Sequence, residues 1–140
     1  SITACATYPS HLIESQTSIF HSLNVTHTDR SIVVKADAYL NITDADFLII
    51  DVSEEDTVSL TYTLTRNKGD ITLSYRTPDD STVLLADTED KTYGEETITL
   101  QPGTTTFFLA GTDAAFQLSF SVKDIDISKV KSINDTAPEL

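Results

Sequence analysis

The 140-residue sequence is poor in the residues that mark several classes of protein. It has one cysteine, so no disulfide can form within the chain. No stretch approaches the roughly 20 consecutive apolar residues of a membrane-spanning helix, which predicts that the chain has no transmembrane segment. Helical spacing of apolar residues is convincing nowhere. A single domain of this length can nevertheless bury a core without disulfides or a metal.

Basic residues are scarce as well. Nine lysines and arginines stand against 22 acidic residues, which gives a net charge of −13. Such a surface repels a phosphate backbone, and no basic stripe with interleaved aromatics offsets the repulsion. We therefore expect no nucleic-acid partner, and anionic membrane surfaces are disfavoured for the same reason. The charge favours cations instead.

Catalytic motifs are also lacking. All three histidines, His11, His21 and His27, lie near the start of the chain, and there is no Gly-x-Ser-x-Gly elbow or P-loop. Cys5 could act as a nucleophile only beside a positioned base. Paired carboxylates are abundant, but any acidic surface supplies them without glycosidase geometry. We expect a non-enzymatic protein with no catalytic residues.

The sequence does contain alternating apolar and polar residues, most clearly between positions 57 and 76. Side chains on a strand point to opposite faces with a period of two, so one face here is apolar and the other rich in hydroxyls. The alternation is interrupted by Asn67-Lys68-Gly69-Asp70, which predicts a hairpin with a glycine-containing loop.

Further alternating segments follow turn signals along the whole chain. Eight or nine short strands at this spacing predict an all-β fold, a two-sheet antiparallel β-sandwich of jelly-roll type. The domain prediction is an N-terminal arm at 1–18, the sandwich at 19–127 and a C-terminal tail or linker at 128–140. We expect one core that contains Leu60, Tyr62, Leu73, Leu100, Phe107, Leu118 and Phe120.

Residues 56–127 resemble jelly-roll modules of secreted and cell-surface proteins, both carbohydrate-binding modules and MAM-like domains. The resemblance lies in the hairpin, the Thr77-Pro78-Asp79-Asp80 turn and the strands around Leu100-Gln101-Pro102-Gly103-Thr104. MAM domains carry several cysteines, however, and carbohydrate-binding modules commonly present tryptophan or tyrosine platforms, whereas this chain has no tryptophan. The resemblance implies a binding module rather than an enzyme.

Two groups of residues are candidate ligand sites. Asp44, Asp46 and Asp51 lie where a turn and a strand start would bring them together, and clustered carboxylates suit Ca²⁺. A solvated acidic rim is the alternative, and no other cofactor is predicted. Tyr93 follows an acidic stretch in a predicted loop. Binding sites often lie on loops, so the second candidate is a sugar site at a loop end, with Tyr93, Asp87, Glu89 and Asp90 as its residues.

Signs of an extracellular or cell-surface location come from three Asn-x-Thr triplets, at Asn24, Asn41 and Asn134, which are glycosylation acceptor patterns. Ile2-Thr3-Ala4-Cys5 resembles a bacterial lipobox, which would make Cys5 the lipidated residue of an anchored protein. The alternative is a Cys5 buried as a small hydrophobe in an N-terminal strand.

Three functions remain open from the sequence. The first is a binding or adhesion module that recognises a protein or glycan partner at a cell surface. The second is a structural or filament subunit that self-assembles by adding its N-terminal arm to a neighbour's sheet. The third is an accessory sugar- or calcium-binding domain of a larger secreted enzyme. We expect the arm to pair within its own chain, because that closes the shorter loop.

Overall fold

The computed structural model describes residues 4–7, 18–40, 44–87 and 91–139. These residues form nine antiparallel strands and one 3₁₀ turn, Ile127–Lys129. No helix among them is long and apolar enough to cross a membrane. The strands are β1 (Ala4–Thr7), β2 (Ser18–His27), β3 (Ser31–Leu40), β4 (Asp44–Val52), β5 (Asp56–Arg76), β6 (Thr82–Ala86), β7 (Lys91–Leu100), β8 (Gly103–Lys123) and β9 (Val130–Ile133). The predicted all-β class is confirmed.

Two long strands, β5 and β8, organise the fold by belonging to both sheets. Each has 21 residues, and they pair with one another along nearly their whole length. The first half of β5 and the second half of β8 lie in a first sheet of order β1-β2-β3-β8-β5-β7. Their other halves lie in a second sheet of order β9-β4-β8-β5-β6.

The two sheets face each other across one core. Phe107 and Phe120 are separated by 13 positions on β8, and a straight strand would place them roughly 40 Å apart. Their ring centroids are 4.9 Å apart, so β8 folds over on itself. The predicted two-sheet antiparallel sandwich is confirmed, and so is the predicted core, since all seven of its residues are buried.

The predicted hairpin at Asn67-Lys68-Gly69-Asp70 is wrong. β5 runs through these residues and bends there, opposite the bend in β8 around Gly111. The pairing register shifts on both sides of Lys68, and Gly69 adopts a φ of 75°. Bulges and glycines allow paired strands to bend sharply. The glycine signal therefore marks a corner between sheets rather than a chain reversal.

A bulge also explains the continuous apolar run in β4. The register against β8 shifts between Asp46 and Leu48, so Phe47 and Leu48 are both buried, with exposures of 1% and 0%. The inserted residue turns two successive side chains toward the same core.

The predicted tail or linker at 128–140 is wrong for its first part. β9 pairs with β4, and Val130 and Ile133 are buried. The Asn134 side chain completes this edge, because its Oδ1 accepts from the Ile49 backbone N at 2.7 Å and its Nδ2 donates to the Phe47 carbonyl at 3.4 Å. The sandwich therefore continues beyond residue 127.

The N-terminal arm contributes an edge strand to its own chain. β1 pairs antiparallel with β2, from Ala4 opposite His27 to Thr7 opposite Asn24. This matches the expected intramolecular pairing for the part of the arm that the structure describes. β2 then starts at Ser18, one residue earlier than the predicted boundary of the sandwich.

Candidate functional site

The outward side of the first sheet carries an array of short polar side chains, and we call this surface the hydroxyl face. Its central strands present Thr61, Thr63, Thr65, Gln117, Ser119 and Ser121. Cross-strand pairing aligns them in rows, one of which joins Tyr93, Thr63, Ser119, Lys35 and Asn24 across five strands. Neighbouring strands lie about 4.8 Å apart, so this row extends over roughly 19 Å.

A groove of about 370 Å³ occupies one side of the hydroxyl face. The hydroxyls of β5 and β8 form its floor, and Tyr93 and Glu95 line it on β7. Tyr93 is 71% exposed, although an aromatic ring of this size is ordinarily covered. The Lys91 Nζ lies 5.4 Å from the Tyr93 ring centroid. An exposed aromatic ring beside a polar floor is an arrangement suited to a ligand with both an apolar face and hydroxyls.

Behind the groove, Tyr62 supports β7 from the core side. Its hydroxyl donates to the Leu85 carbonyl at 3.0 Å and approaches a Glu96 carboxylate oxygen at 3.4 Å. Burial, followed by the Glu96 charge, raises the pKa of Tyr62, so the hydroxyl keeps the proton that it donates. Gly94 lies directly opposite Tyr62 in the β5–β7 pairing, and the absence of a side chain there leaves room for the ring.

Gly94→Ala is expected to lower the free energy of unfolding by about 1–3 kcal/mol, because forced overpacking of a well-filled region costs that much. A Cβ at this position would lie 1.9 Å from the Tyr62 Cζ, and the ring cannot move freely because it stacks on Phe120. Urea unfolding of the single variants and of Gly94→Ala/Tyr62→Leu measures the coupling. If the double variant lost as much free energy of unfolding as the two single variants lose in sum, the proposed contact between Gly94 and Tyr62 would be wrong.

The sequence placed Tyr93 in a loop, whereas the structure places it on strand β7, opposite Thr63. Asp87 is exposed but does not line the groove, and Glu89 and Asp90 lie outside the described residues. The hydroxyl floor is the part of the site that sequence reasoning missed. Its Thr and Ser positions were visible as one face of each strand, but not which strands were neighbours.

The three predicted metal ligands lie along one strand instead of converging at a turn. Arg76 pairs with Asp44 at 3.6 Å and with Asp46 at 2.9 Å, and its guanidinium lies 4.2 Å from the Phe108 ring centroid. Asp51 lies five residues further along β4 and faces Lys131 at 3.9 Å. The predicted convergence of the three carboxylates is therefore wrong. Within the described ranges no three acidic, histidine or cysteine side chains form a metal-binding group, and Ca²⁺ binding stays a prediction.

The predicted modification sites have different surroundings. Asn24 lies on the hydroxyl face opposite Lys35, and Asn41 lies outside the described residues. Asn134 uses its amide to join β9 to β4, which is a structural role that a glycan on Nδ2 would disturb. Cys5 is in β1, paired with Thr26. Glycosylation and lipidation stay predictions.

Tyr39 lies at the bend end of the hydroxyl face. Its hydroxyl donates to Asp113, which also pairs with Lys68 at 3.0 Å. The hydrogen bond from Tyr39, followed by that from Lys68, lowers the pKa of Asp113. These contacts hold Tyr39 in place, which leaves Tyr93 as the more accessible ring.

The sequence matches no protein-family model and no curated protein sequence. Solved structures with a similar fold include a family 35 carbohydrate-binding module from an environmental isolate, with 13% identity, a TM-score of 0.45 and coverage of 96% of this chain and 92% of that one. A carbohydrate-binding module of Cellvibrio mixtus lichenase 5A, in complex with cellotriose, has 11% identity, a TM-score of 0.37 and coverage of 86% and 97%. TmCBM61 in complex with β-1,4-galactotriose has 10% identity, a TM-score of 0.37 and coverage of 89% and 86%.

Carbohydrate-binding modules, one of the two classes that the sequence was predicted to resemble, are thus among the solved structures that match this chain. The MAM-like resemblance stays a prediction. At such identities and TM-scores the similarity does not indicate a ligand for this chain. The ligand class has to follow from the side chains of the chain itself.

Proposed function

We propose that this chain is a non-catalytic module that binds glycans on the hydroxyl face. The observation that supports this function best is the 71% exposed Tyr93 ring beside a groove with a floor of Thr and Ser hydroxyls. Sugar rings have an apolar face and a rim of hydroxyls. The groove offers a complementary surface to each of these features.

The floor chemistry suits sugar hydroxyls because a Ser or Thr hydroxyl can both donate and accept a hydrogen bond. Thr61, Thr63, Ser119 and Ser121 therefore adapt to either orientation of a sugar hydroxyl. Tyr93 supplies a flat aromatic face that covers the apolar side of a ring. Since the cross-strand row continues past the groove to Lys35, an extended chain of sugars fits this face better than a single residue.

The same lining supports binding rather than hydrolysis. Among the groove's described residues Glu95 is the single carboxylate, whereas most glycoside hydrolases need two flanking the scissile bond. We propose a location outside the cell or at its surface, where a glycan partner would be met. A glycan-binding module of this kind could act in adhesion or as an accessory domain of a larger enzyme, and both roles agree with this binding function.

The edge strand β7 disfavours the alternative of self-assembly through this side of the first sheet. If two copies paired antiparallel about the middle of β7 with matching faces, Glu95 would meet Glu95 or Glu96 would meet Glu96. Like charges directly opposite one another destabilise such a pair. This supports recognition through the hydroxyl face over growth of the sheet at β7.

Tyr93→Ala is expected to weaken glycan binding about 5- to 30-fold, since losing an aromatic contact costs about 1–2 kcal/mol. Tyr93→Phe should retain most of the affinity, because the ring face rather than the hydroxyl makes the contact. Affinity electrophoresis against a panel of neutral and acidic soluble polysaccharides identifies the ligand, and calorimetry then compares the variants.

Leu84→Ala provides the matched control, since Leu84 is a large apolar residue 57% exposed on β6 in the other sheet. It should bind like the parent. Equal weakening in Leu84→Ala and Tyr93→Ala would place the site elsewhere, and failure of the parent to bind any glycan in the panel would overturn the proposed function.

A further inference from the structure

The hydroxyl face differs in charge from the rest of this acidic protein. Among the described residues it carries three lysines, Lys35, Lys91 and Lys123, and two acidic residues, Asp37 and Glu95. The remaining described residues include six basic and seventeen acidic ones. The hydroxyl face is thus formally close to neutral on a strongly negative molecule, and an anionic ligand meets less repulsion there than over the remaining described surface taken as a whole.

The three lysines lie on the hydroxyl face beside the groove, whose one charged lining residue among those described is Glu95. Lys35 is the fourth of the five residues in the cross-strand row, next to Ser119, and its Nζ donates to the Ser119 Oγ at 2.8 Å. Lys91 lies on the opposite side, with its Nζ 5.4 Å from the Tyr93 ring centroid. Lys123 follows Ser121 by two positions on the same face of β8. A ligand that extends over the floor and beyond it would therefore meet Lys35 on one side, Lys91 on the other and Lys123 near the end of β8.

Resting on the glycan-binding function proposed above, we infer that the hydroxyl face binds an acidic glycan, one whose rings carry carboxylate or sulfate groups that reach the lysines beside the groove. Lys35 and Lys91 are the specificity-determining residues, and Lys123 adds to the local positive charge. Tyr93 and the floor hydroxyls contact the parts that neutral and acidic sugars share. The lysines account for the difference in affinity between acidic and neutral glycans, because an ammonium group is a compact charge that pairs with an anionic substituent.

The test compares acidic polysaccharides with neutral ones of the same or a similar backbone. Polygalacturonate is compared with its methyl ester, alongside alginate, carboxymethylcellulose and hydroxyethylcellulose, by affinity electrophoresis and calorimetry. At least one acidic polymer is expected to bind. Its neutral counterpart, which loses both lysine contacts, should bind about 4- to 25-fold more weakly. Lys35→Gln and Lys91→Gln should each weaken binding of the acidic polymer about two- to five-fold.

Lys131→Gln is the matched control. Lys131 lies on β9, faces Asp51 and is well exposed, and each of the three substitutions takes the formal net charge from −13 to −14. Long-range repulsion of a polyanion therefore changes equally in all three variants, and only the position of the lost charge differs. Lys131→Gln should bind within about two-fold of the parent.

Two results would overturn the inference, and they are distinguishable. If a neutral polymer bound as tightly as its acidic counterpart, with Tyr93 still required, the acidic preference would be wrong while the glycan-binding function stood. The acidic preference would also be wrong if Lys35→Gln and Lys91→Gln bound the acidic polymer as tightly as Lys131→Gln does. If no polymer of either kind bound, the proposed function itself would fail.

Discussion

Gly69→Ala is expected to lower the free energy of unfolding by about 2–4 kcal/mol, because it combines backbone strain with a steric clash. Gly69 has a φ of 75°, a conformation that a residue with a Cβ adopts only with strain. A Cβ there would also lie 2.4 Å from the Asp113 carbonyl oxygen and 2.7 Å from the Ala114 Cα. Both are backbone atoms, so the corner between the two sheets would have to open. Urea unfolding followed by tyrosine fluorescence measures the change.

Gly111→Ala distinguishes the steric contribution to the loss of stability from the contribution of backbone strain. Gly111 lies on the facing strand, where an added Cβ would approach the Asp70 carbonyl oxygen at 2.6 Å. The described backbone shows no positive φ at Gly111, so its substitution tests crowding alone. We expect both glycine variants to be destabilised, and Asn67→Ala, at an exposed position beside the bend, to stay within about 0.5 kcal/mol of the parent. A stable Gly111→Ala would contradict the corner and favour two independent turns.

These glycines also show why the sequence predicted the layers of the fold but not its connections. Alternation revealed the inward residues of β5 and β8, since burial acts on each side chain separately. A tight turn and a sharp bend, however, both favour a glycine. The long-range pairing of β5 with β8 distinguishes them, and it depends on residues distant in sequence. The short β9 was missed because four residues are too few to show a period.

The candidate site was visible in the sequence only as separate pieces. Tyr93 could be expected to be exposed, and Thr63 and Ser119 could each be assigned to an outward face. Their adjacency depends on the order β8-β5-β7, which no local pattern encodes. The predicted metal site was wrong for a related reason, because the sequence did not show that its three residues lie on one strand. Asp44 and Asp51 are close in sequence, but an extended strand separates them by about 3.3 Å per residue.

Phe120→Ala is expected to be the most destabilising of the substitutions considered, with a loss of about 3–5 kcal/mol. Phe120 is fully buried and joins both layers of the sandwich. Its ring centroid lies 5.1 Å from that of Phe47 on β4, 4.9 Å from that of Phe107 and 6.1 Å from that of Tyr62 on β5. Truncation would leave a cavity between the sheets that rigid strands on both sides cannot collapse to fill.

Thermal unfolding by circular dichroism and urea unfolding by tyrosine fluorescence measure the loss at Phe120, which corresponds to a decrease in Tm of about 10 °C or more. Phe120→Leu keeps most of the volume and should cost less than about 1.5 kcal/mol. Tyr93→Ala removes an aromatic ring from the surface and should leave stability within about 0.5 kcal/mol of the parent. If Phe120→Ala unfolded at the same urea concentration as Tyr93→Ala, Phe120 could not lie between two packed sheets. The folding-over of β8, and with it the position of the hydroxyl face, would then be wrong.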